Sequence, residues 1–394
     1  MLLEIIFFLL IGILIGTFTG LTPGIHINLI GAILVSLSFS IFAGIEPLYI
    51  ITFISAMAIT HTFLDFIPSI FLGCPDTDTE LSILPGHELL KEGKGYSAII
   101  LTAYGSLAAV FILILIAYPS VILISSIYDT IKNAIPYILI LISVILISLE
   151  TKKFKAFLVF MITGLLGLCV LNLEMSQPLL PLLTGLFGAS ALILTLKNKT
   201  QIPKQTLERE NTPLFKPLIG SLIASPLCSF FPGLGAGQAA IIGNTISRTD
   251  KKGFLVLLGA TNTLVMGFSF ISLYTTSRTR TGAAVAIKEI LGFLSGNILI
   301  LILAVILISG TISFFLTKKI AKIASQNITR INYSKLSLIT LGILAVIVFI
   351  VSGFLGLFIL TASTIIGIYS ITRGVRRTNM MGCLLIPTIV FYLF

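Results

Sequence analysis

Apolar segments recur along the whole chain and are separated by short polar gaps. The first seven lie at about 2–22, 25–44, 47–73, 97–126, 134–149, 154–172 and 178–196. Seven more lie at about 217–231, 234–247, 253–274, 286–317, 335–351, 354–372 and 380–394. A helix needs about 20 apolar residues to cross a membrane, so this pattern predicts an all-α polytopic membrane protein.

The two sets of segments flank one polar stretch and share short motifs. Pro23-Gly24 corresponds to Pro232-Gly233, "AITHTF" at 58–63 to "GATNTL" at 259–264, and "DTDT" at 76–79 to "RTRT" at 278–281. Each motif returns about 200 residues later, which indicates an internal duplication. We therefore predict a first transmembrane repeat at 1–196, a linker at 197–216 and a second transmembrane repeat at 217–394.

The distribution of basic residues predicts how the two repeats are oriented. We take each Pro-Gly segment as a broken helical hairpin that returns to its starting side, followed by about five spanning segments. A cytoplasmic linker then puts all but four of the 25 Lys and Arg inside, as the positive-inside rule favours. Both termini are then outside and the repeats are inverted, which is typical of secondary transporters with a midplane site.

Composition supports a membrane protein and changes the meaning of the net charge. The chain has 394 residues, of which 56% are hydrophobic and 10% charged, with a mean hydropathy of +1.12. The net charge of +10 comes from loops between apolar segments, where Lys and Arg determine topology. It therefore predicts no nucleic-acid partner, and the four dispersed cysteines predict neither disulfides nor a metal site.

The two Pro-Gly breaks are candidates for one shared anion site. Proline removes a helical hydrogen bond, and inside a membrane such a break is tolerated only against protein or a water-filled cavity. The helix that resumes after each break presents free N–H groups to an anion. The predicted substrate-binding residues here are Pro23, Gly24, His26, Asn28, Pro232, Gly233, Gly235, Gly237 and Gln238. The alternative is a packing kink, since Gly12, Gly16 and Gly20 form a ladder suited to close helix contact.

A second candidate group would carry the coupling ion. His61 and Asp65 are four residues apart and share a helix face, and ionisable groups inside a span are usually functional. Asn262 is the counterpart of His61 in the second repeat. These residues are candidates for a proton relay or an ion site, while the alternative is a His-Asp hydrogen bond that only joins helices.

Charged residues in two equivalent loops extend both candidate groups. Asp76 and Asp78 lie in a loop expected to be cytoplasmic, and we add them to the coupling-ion residues. Arg278 and Arg280 lie on the outer side, against the topology bias, and are expected to balance the charge of an anionic substrate. The alternative for both stretches is an ordinary solvated loop.

An enzymatic function is the less favoured alternative. His26, His61 and His87 with Asp65 would be the ligands of an intramembrane zinc site, but no zinc-binding or nucleotide-binding motif is present. We therefore expect a protein that is not an enzyme and that needs no cofactor other than Na⁺ or H⁺ as coupling ion.

Three motifs carry a resemblance to a known family. They are the Gly-x-x-x-Gly-x-x-x-Gly-Leu-x-Pro-Gly run at 12–24, its weaker copy around Pro232-Gly233, and "LPGHELLKEGKGYSA" at 84–98. The chain resembles the large membrane subunit of the tripartite tricarboxylate transporters (TctA), and is closest to the archaeal branch. The resemblance implies a proton- or sodium-driven carboxylate permease. It also implies a small membrane subunit and an extracytoplasmic binding protein as partners.

The leading expectation is a secondary active transporter of an organic anion in the cell membrane, surrounded by membrane lipids. An alternative is a translocase for an anionic lipid carrier such as polyprenyl phosphate, because Pro-Gly hairpins recur in that setting too. The sequence leaves open whether the protein forms a homodimer.

Overall fold

The structure is a computed structural model. It describes residues 1–22, 44–72, 79, 81, 83–175, 177–198, 203–208, 210–230, 236–278, 281–330 and 333–393. Throughout these ranges the regular structure is helical, as the apolar pattern predicts. The helices are α1 (Leu2–Leu21), α2 (Pro47–Leu64), α3 (Phe66–Leu72), α4 (Ile83–Lys91), α5 (Gly95–Ile131), α6 (Ile135–Ser148), α7 (Lys153–Leu171), α8 (Leu179–Leu183), α9 (Ser190–Asn198), α10 (Phe215–Phe230), α11 (Ala236–Ser247), α12 (Lys251–Thr276), α13 (Gly282–Leu291), α14 (Gly296–Asn327), α15 (Tyr333–Thr372) and α16 (Gly382–Leu393).

Seven of the described helices are long and apolar enough to cross a membrane, which establishes a multi-pass membrane protein. They are Leu2–Leu21, Pro47–Phe71, Gly95–Ser126, Lys153–Leu171, Lys251–Thr276, Gly296–Asn327 and Ser337–Thr372. Many large apolar side chains on their outer faces are exposed, because lipid rather than protein covers those faces.

The structure divides one predicted segment into two helices. The sequence predicts a single segment at 286–317, whereas α13 ends at Leu291 and α14 begins at Gly296. Gly292 follows α13 with φ +70° and donates its N–H to the carbonyl oxygen of Lys288. A glycine at positive φ is a common helix terminator, and the prediction missed it because the segment is apolar throughout.

Helix α15 contains the two segments predicted at 335–351 and 354–372, divided by a sharp bend. Gly353 adopts φ 64° and ψ −160° inside it, a conformation that is open to glycine but not to other residues. A Cβ added to Gly356 would lie 3.2 Å from Cγ1 of Val348. Residues eight apart in a straight helix are separated by about 12 Å along its axis, so the chain turns back at Gly353.

Helices α2 and α12 form the centre of the protein and are almost entirely buried. Helix α5 of the first half packs along α12 of the second, and α14 of the second half packs along α2 of the first. A methyl group at Gly105 on α5 would collide with the carbonyl oxygen of Val256, and one at Gly259 on α12 with that of Thr102. The two halves therefore meet at backbone distance.

The predicted glycine ladder packs α1 against α2. A Cβ at Gly12 would lie 2.6 Å from the carbonyl oxygen of Phe53, and one at Gly16 would lie 2.7 Å from Cβ of Thr60. Gly20 approaches Cβ of Leu64 in the same way. The packing interpretation of Gly12, Gly16 and Gly20 is therefore confirmed for the arm that leads into the first Pro-Gly break.

The described part of the linker is attached to both halves at one end of the helices. The side-chain oxygen of Gln205 accepts a hydrogen bond of 2.8 Å from the backbone N–H of Gly95, at the start of α5. Glu210 forms ion pairs of 2.8 Å with Lys94 and 2.5 Å with Lys252, at the starts of α5 and α12. These lysines lower the pKa of the half-buried Glu210 carboxyl to about 2.

Candidate functional site

The predicted site residues fall into two sets. Gly237, Gln238, Arg278, His61, Asp65 and Asn262 lie within the described residues. The others lie outside them: Pro23, Gly24, His26, Asn28, Pro232, Gly233, Gly235, Arg280, Asp76 and Asp78. The role of every residue in both sets remains a prediction, and the geometry that follows concerns the described set.

A buried carboxylate and a buried amide join the two central helices. The Asn262 side chain on α12 donates a hydrogen bond of 2.8 Å from Nδ2 to Oδ2 of Asp65, which follows the last residue of α2. Asp65 is 5% exposed and Asn262 is 4% exposed. Helix α2 ends here, yet the chain resumes a helix at Phe66, so Asp65 lies at a helix junction inside a continuous apolar segment.

The two central helices also meet at equivalent positions of the predicted repeats. The hydroxyl oxygens of Thr62 and Thr263 are 3.2 Å apart and both residues are buried. Thr62 follows His61 in "AITHTF", and Thr263 follows Asn262 in "GATNTL". Contact between equivalent residues is expected where a pseudo-two-fold axis passes between two repeats, and Thr263 lies midway along α12.

His61 is held by the arm that leads into the first break. Its Nδ1 lies 3.1 Å from the hydroxyl oxygen of Thr19, which itself donates to the carbonyl oxygen of Gly16. Because the Thr19 hydrogen is used in that second bond, the consistent tautomer has Nδ1–H donating to Thr19. Thr19 lies in the last turn of α1, so this contact joins the end of α1 to the turn of α2 that precedes Asp65.

The polar centre includes hydroxyl groups that the sequence prediction missed. Ser313 on α14 donates a hydrogen bond of 2.9 Å to the hydroxyl oxygen of Thr60 on α2. Both residues are fully buried. Thr62 and Thr263 form a second, separate pair of buried hydroxyl groups between the central helices. The signal in the sequence is the Thr-x-Thr pattern shared by "AITHTF" and "GATNTL", which surrounds His61 and Asn262.

Gly237 and Gln238 occupy the first turn of α11, which begins at Ala236 directly after the second break. Both residues are buried. The first N–H groups of a helix have no partner within it and favour an anion. Helix α11 packs against α10 and α12, so its first turn lies inside the protein rather than against lipid.

Arg278 lies at a distance from this polar centre. It is exposed, and its Nη1 donates a hydrogen bond of 2.6 Å to the hydroxyl oxygen of Tyr392 on α16. Thr276, the last residue of α12, lies about 20 Å along the helix from Thr263, and Arg278 follows it. The structure therefore does not bring Arg278 together with Asp65 and Asn262.

Across the described ranges, no group of three or more His, Cys, Asp or Glu side chains is arranged to hold a metal ion. His61 and Asp65 are the described members of the zinc alternative at the centre. Their neighbours there are hydroxyl and amide groups, which suit a proton or a hard cation rather than zinc.

Comparison with known proteins agrees with the resemblance seen in the motifs. The model of the Tripartite tricarboxylate transporter TctA family matches residues 6–382. An uncharacterized protein of Methanocaldococcus jannaschii is 32% identical over 399 residues, with 98% of each chain covered. No solved structure matches the chain. The family match includes both Pro-Gly breaks and both central helices, and the chain belongs to the tripartite tricarboxylate transporter TctA family.

Proposed function

We propose that the protein is a secondary active transporter of a carboxylate-type organic anion, coupled to H⁺ or Na⁺. Membership of the TctA family implies a component of a tricarboxylate transporter. The observation that carries the coupled mechanism is the buried hydrogen bond between Asp65 and Asn262. An ionisable side chain buried among the spans of a transporter usually serves an ion pathway.

Asp65 carries the coupling ion in this proposal. A proton would neutralise its carboxylate and change the hydrogen bond with Asn262, since a protonated carboxyl is itself a donor. Sodium would instead use the oxygen atoms of Asp65, Asn262 and the Thr62 and Thr263 hydroxyls, which are hard ligands. Either ion changes the contact between α2 and α12, which links ion binding to the arrangement of the two halves.

The substrate anion binds between the two Pro-Gly breaks. Gly237 and Gln238 support this placement, because they form the buried first turn of a helix that follows a break. Pro23, Gly24, His26 and Asn28 complete the site from the first half, and Pro232, Gly233 and Gly235 from the second. In this proposal the halves are inverted repeats, and the Thr62–Thr263 contact supports a pseudo-two-fold axis between them.

The protein acts with partners at the cell membrane. TctA is the large membrane subunit of a three-part transporter, so we include a small membrane subunit and an extracytoplasmic binding protein. In this proposal the linker is cytoplasmic and both termini are outside, an orientation that the basic loops favour. Arg278, at the outer end of α12, then lies on the side where a binding protein would deliver the anion.

Uptake of radiolabelled citrate into proteoliposomes tests the proposal. We expect uptake driven by an inward gradient of either protons or sodium. Asp65→Asn should abolish gradient-driven uptake but retain exchange of internal for external citrate, because binding survives without coupling. Glu174→Gln is the control, since Glu174 is an exposed carboxylate outside the spans.

Two outcomes would contradict the proposal. The first is gradient-driven uptake by Asp65→Asn at the rate of the unchanged protein, which would remove Asp65 from coupling. The second is an absence of uptake for all di- and tricarboxylates tested, together with a higher melting temperature in polyprenyl phosphate. That result would favour the translocase for an anionic lipid carrier.

A further inference from the structure

A cleft of about 810 Å³ opens at the end of the bundle where the linker is attached. Its walls come from both halves of the chain. The first half contributes the segment around Leu81, helix α4 and the end of α6; the second contributes α11, the start of α12 and the turn after α15. The charged lining residues are Glu88, Asp250, Lys251, Arg376 and Arg377.

One wall of this cleft leads towards the predicted substrate site. Ile241 and Thr245 of α11 line the cleft, and Gln238 lies three and seven residues before them on the same helix face. Three residues of helix correspond to about 4.5 Å. The predicted substrate residue Gln238 is therefore one turn deeper than the floor of the cleft.

Leu81 lies between the cleft and the buried centre. It lines the cleft and packs against the apolar cluster that includes Ala236 and Ala239 of α11. Two residues before it, the Thr79 hydroxyl oxygen lies 2.6 Å from that of Ser69, which donates to the carbonyl oxygen of Asp65. Leu81 thus contacts both the cleft and the apolar packing around the start of α11, and Thr79 is joined through Ser69 to the end of α2.

The charges at the cleft suit an anion. Glu88 of α4 and Lys251 of α12 form an exposed ion pair of 2.5 Å that joins the two halves at the mouth. Asp250 accepts a hydrogen bond from the N–H of Gly253 at the start of α12. On the opposite wall Arg376 lies 3.6 Å from the buried carboxylate of Glu150, and Arg377 is the second cation of that wall.

The pKa of His87, which lies beside the cleft, depends on the charges near it. The pKa of His87 is lowered to about 4 by burial, followed by the charges of Lys91 and Arg377. His87 follows Gly86 on α4 and precedes Glu88, one of the lining residues. Arg377 is thus close enough to His87 to act on its charge, and it contributes a positive potential on this side of the cleft.

We propose that this cleft is the cytoplasmic vestibule of the transport path for the carboxylate-bearing anion. Arg377 attracts the anion, and Leu81 closes the passage to the site at Gln238. The inference rests on the proposed function, because it assigns the path by which the anion leaves or reaches the membrane-embedded site. It adds a second, transient anion position about one helical turn from the first.

Thiol labelling tests the vestibule without any substrate. The reporter is Thr245→Cys in a protein with Cys74 and Cys169 replaced by alanine, and that background without the reporter is the blank. Anionic sulfonatoethyl and cationic trimethylammonioethyl methanethiosulfonates are applied to inside-out membrane vesicles and to intact cells. We expect labelling from the cytoplasmic side only, with the anionic reagent favoured.

The charge effect is tested with two matched substitutions. Arg377→Gln should lower the ratio of anionic to cationic labelling rates about fivefold, the value for one unit charge about 8 Å away in water. Arg373→Gln removes a cation from the same turn, but this guanidinium lies over the Tyr369 ring, 4.8 Å from its centroid, and Arg373 does not line the cleft. It should leave the ratio unchanged.

The gate is tested with a deeper reporter, Gln238→Cys, which replaces a fully buried side chain. Leu81→Ala should raise its cytoplasmic labelling rate at least about tenfold, because access through a closed layer depends on a rare opening. Leu149→Ala, which widens the cleft at another wall, should not.

The outcomes separate this inference from the proposed function. Labelling of Thr245→Cys from the outside only, or equal ratios for Arg377→Gln and the unchanged protein, would overturn the vestibule even if citrate uptake is normal. Equal effects of Leu81→Ala and Leu149→Ala would overturn the gate. A charge-selective, gated cleft in a protein that transports no carboxylate would instead contradict the proposed substrate.

Discussion

Replacing Asn262 with leucine removes the amide that donates a hydrogen bond to the buried carboxylate of Asp65. The two side chains are of similar size, so the substitution mainly removes the donor and leaves little empty space. The buried carboxyl group of Asp65 then lacks this donor. The expected result is a large loss of stability that depends on Asp65 being present.

The magnitude follows from the burial of both groups. A hydrogen bond to a charged group contributes about 1.5–3 kcal/mol, and removing one partner of a buried ion pair costs about 3–5 kcal/mol. Asn262 is neutral, so we expect the unfolding free energy to fall by about 2–3 kcal/mol. The double variant Asp65→Leu with Asn262→Leu should recover most of this, with a coupling energy of about 2 kcal/mol.

Unfolding of the purified protein by SDS in mixed micelles measures these free energies for the two single variants and the double variant. The matched control is the same cycle on Thr62→Val and Thr263→Val, because that pair is equally buried but neutral. Its coupling energy should be about 0.5–1 kcal/mol. A coupling energy below about 0.5 kcal/mol for Asp65 and Asn262 would refute the reasoning that their hydrogen bond joins the central helices.

Three further predictions concern other parts of the molecule. Gly16→Leu should prevent close packing of α1 on α2 and lower the melting temperature, whereas Gly44→Ala, which meets nothing within 4 Å, should not. The free energy of unfolding should fall by up to about 3 kcal/mol as the pH drops from 6.5 to 4, because His87 binds its proton at a higher pH in the unfolded chain than in the folded one. His87→Gln should flatten this dependence of the unfolding free energy on pH. Glu210→Gln should lower the melting temperature at low salt, and the difference should shrink in 1 M NaCl because salt screens the lost ion pairs; a salt-independent difference would contradict this.

The apolar pattern predicts most helix bounds to within a few residues, because each span must satisfy its own backbone hydrogen bonds in lipid. The α1 contact was also predictable, since Gly12, Gly16 and Gly20 repeat at the spacing that brings one helix face close to another. The break at Gly292 was missed because its apolar neighbours continue the span pattern on both sides. Hydropathy does not report backbone angles.

The polar centre was predicted in part. Asp65 and Asn262 were both candidates because they are polar residues within apolar segments. Their hydrogen bond joins residues 197 positions apart, and no local spacing determines how two distant helices dock. The hydroxyl groups of Thr60 and Ser313 were missed because such residues commonly bond to the carbonyl oxygen of the preceding turn in any helix.

The close packing of α5 on α12 has a mechanical consequence. Gly105 and Gly259 each press against a carbonyl oxygen of the opposite helix, so neither helix can slide past the other by a turn without a steric clash. Together with the linker attachment, this contact holds the two long helices together as one rigid unit. In the proposed transport cycle α5 and α12 therefore move together, and the conformational change must come from movement of other helices relative to this pair.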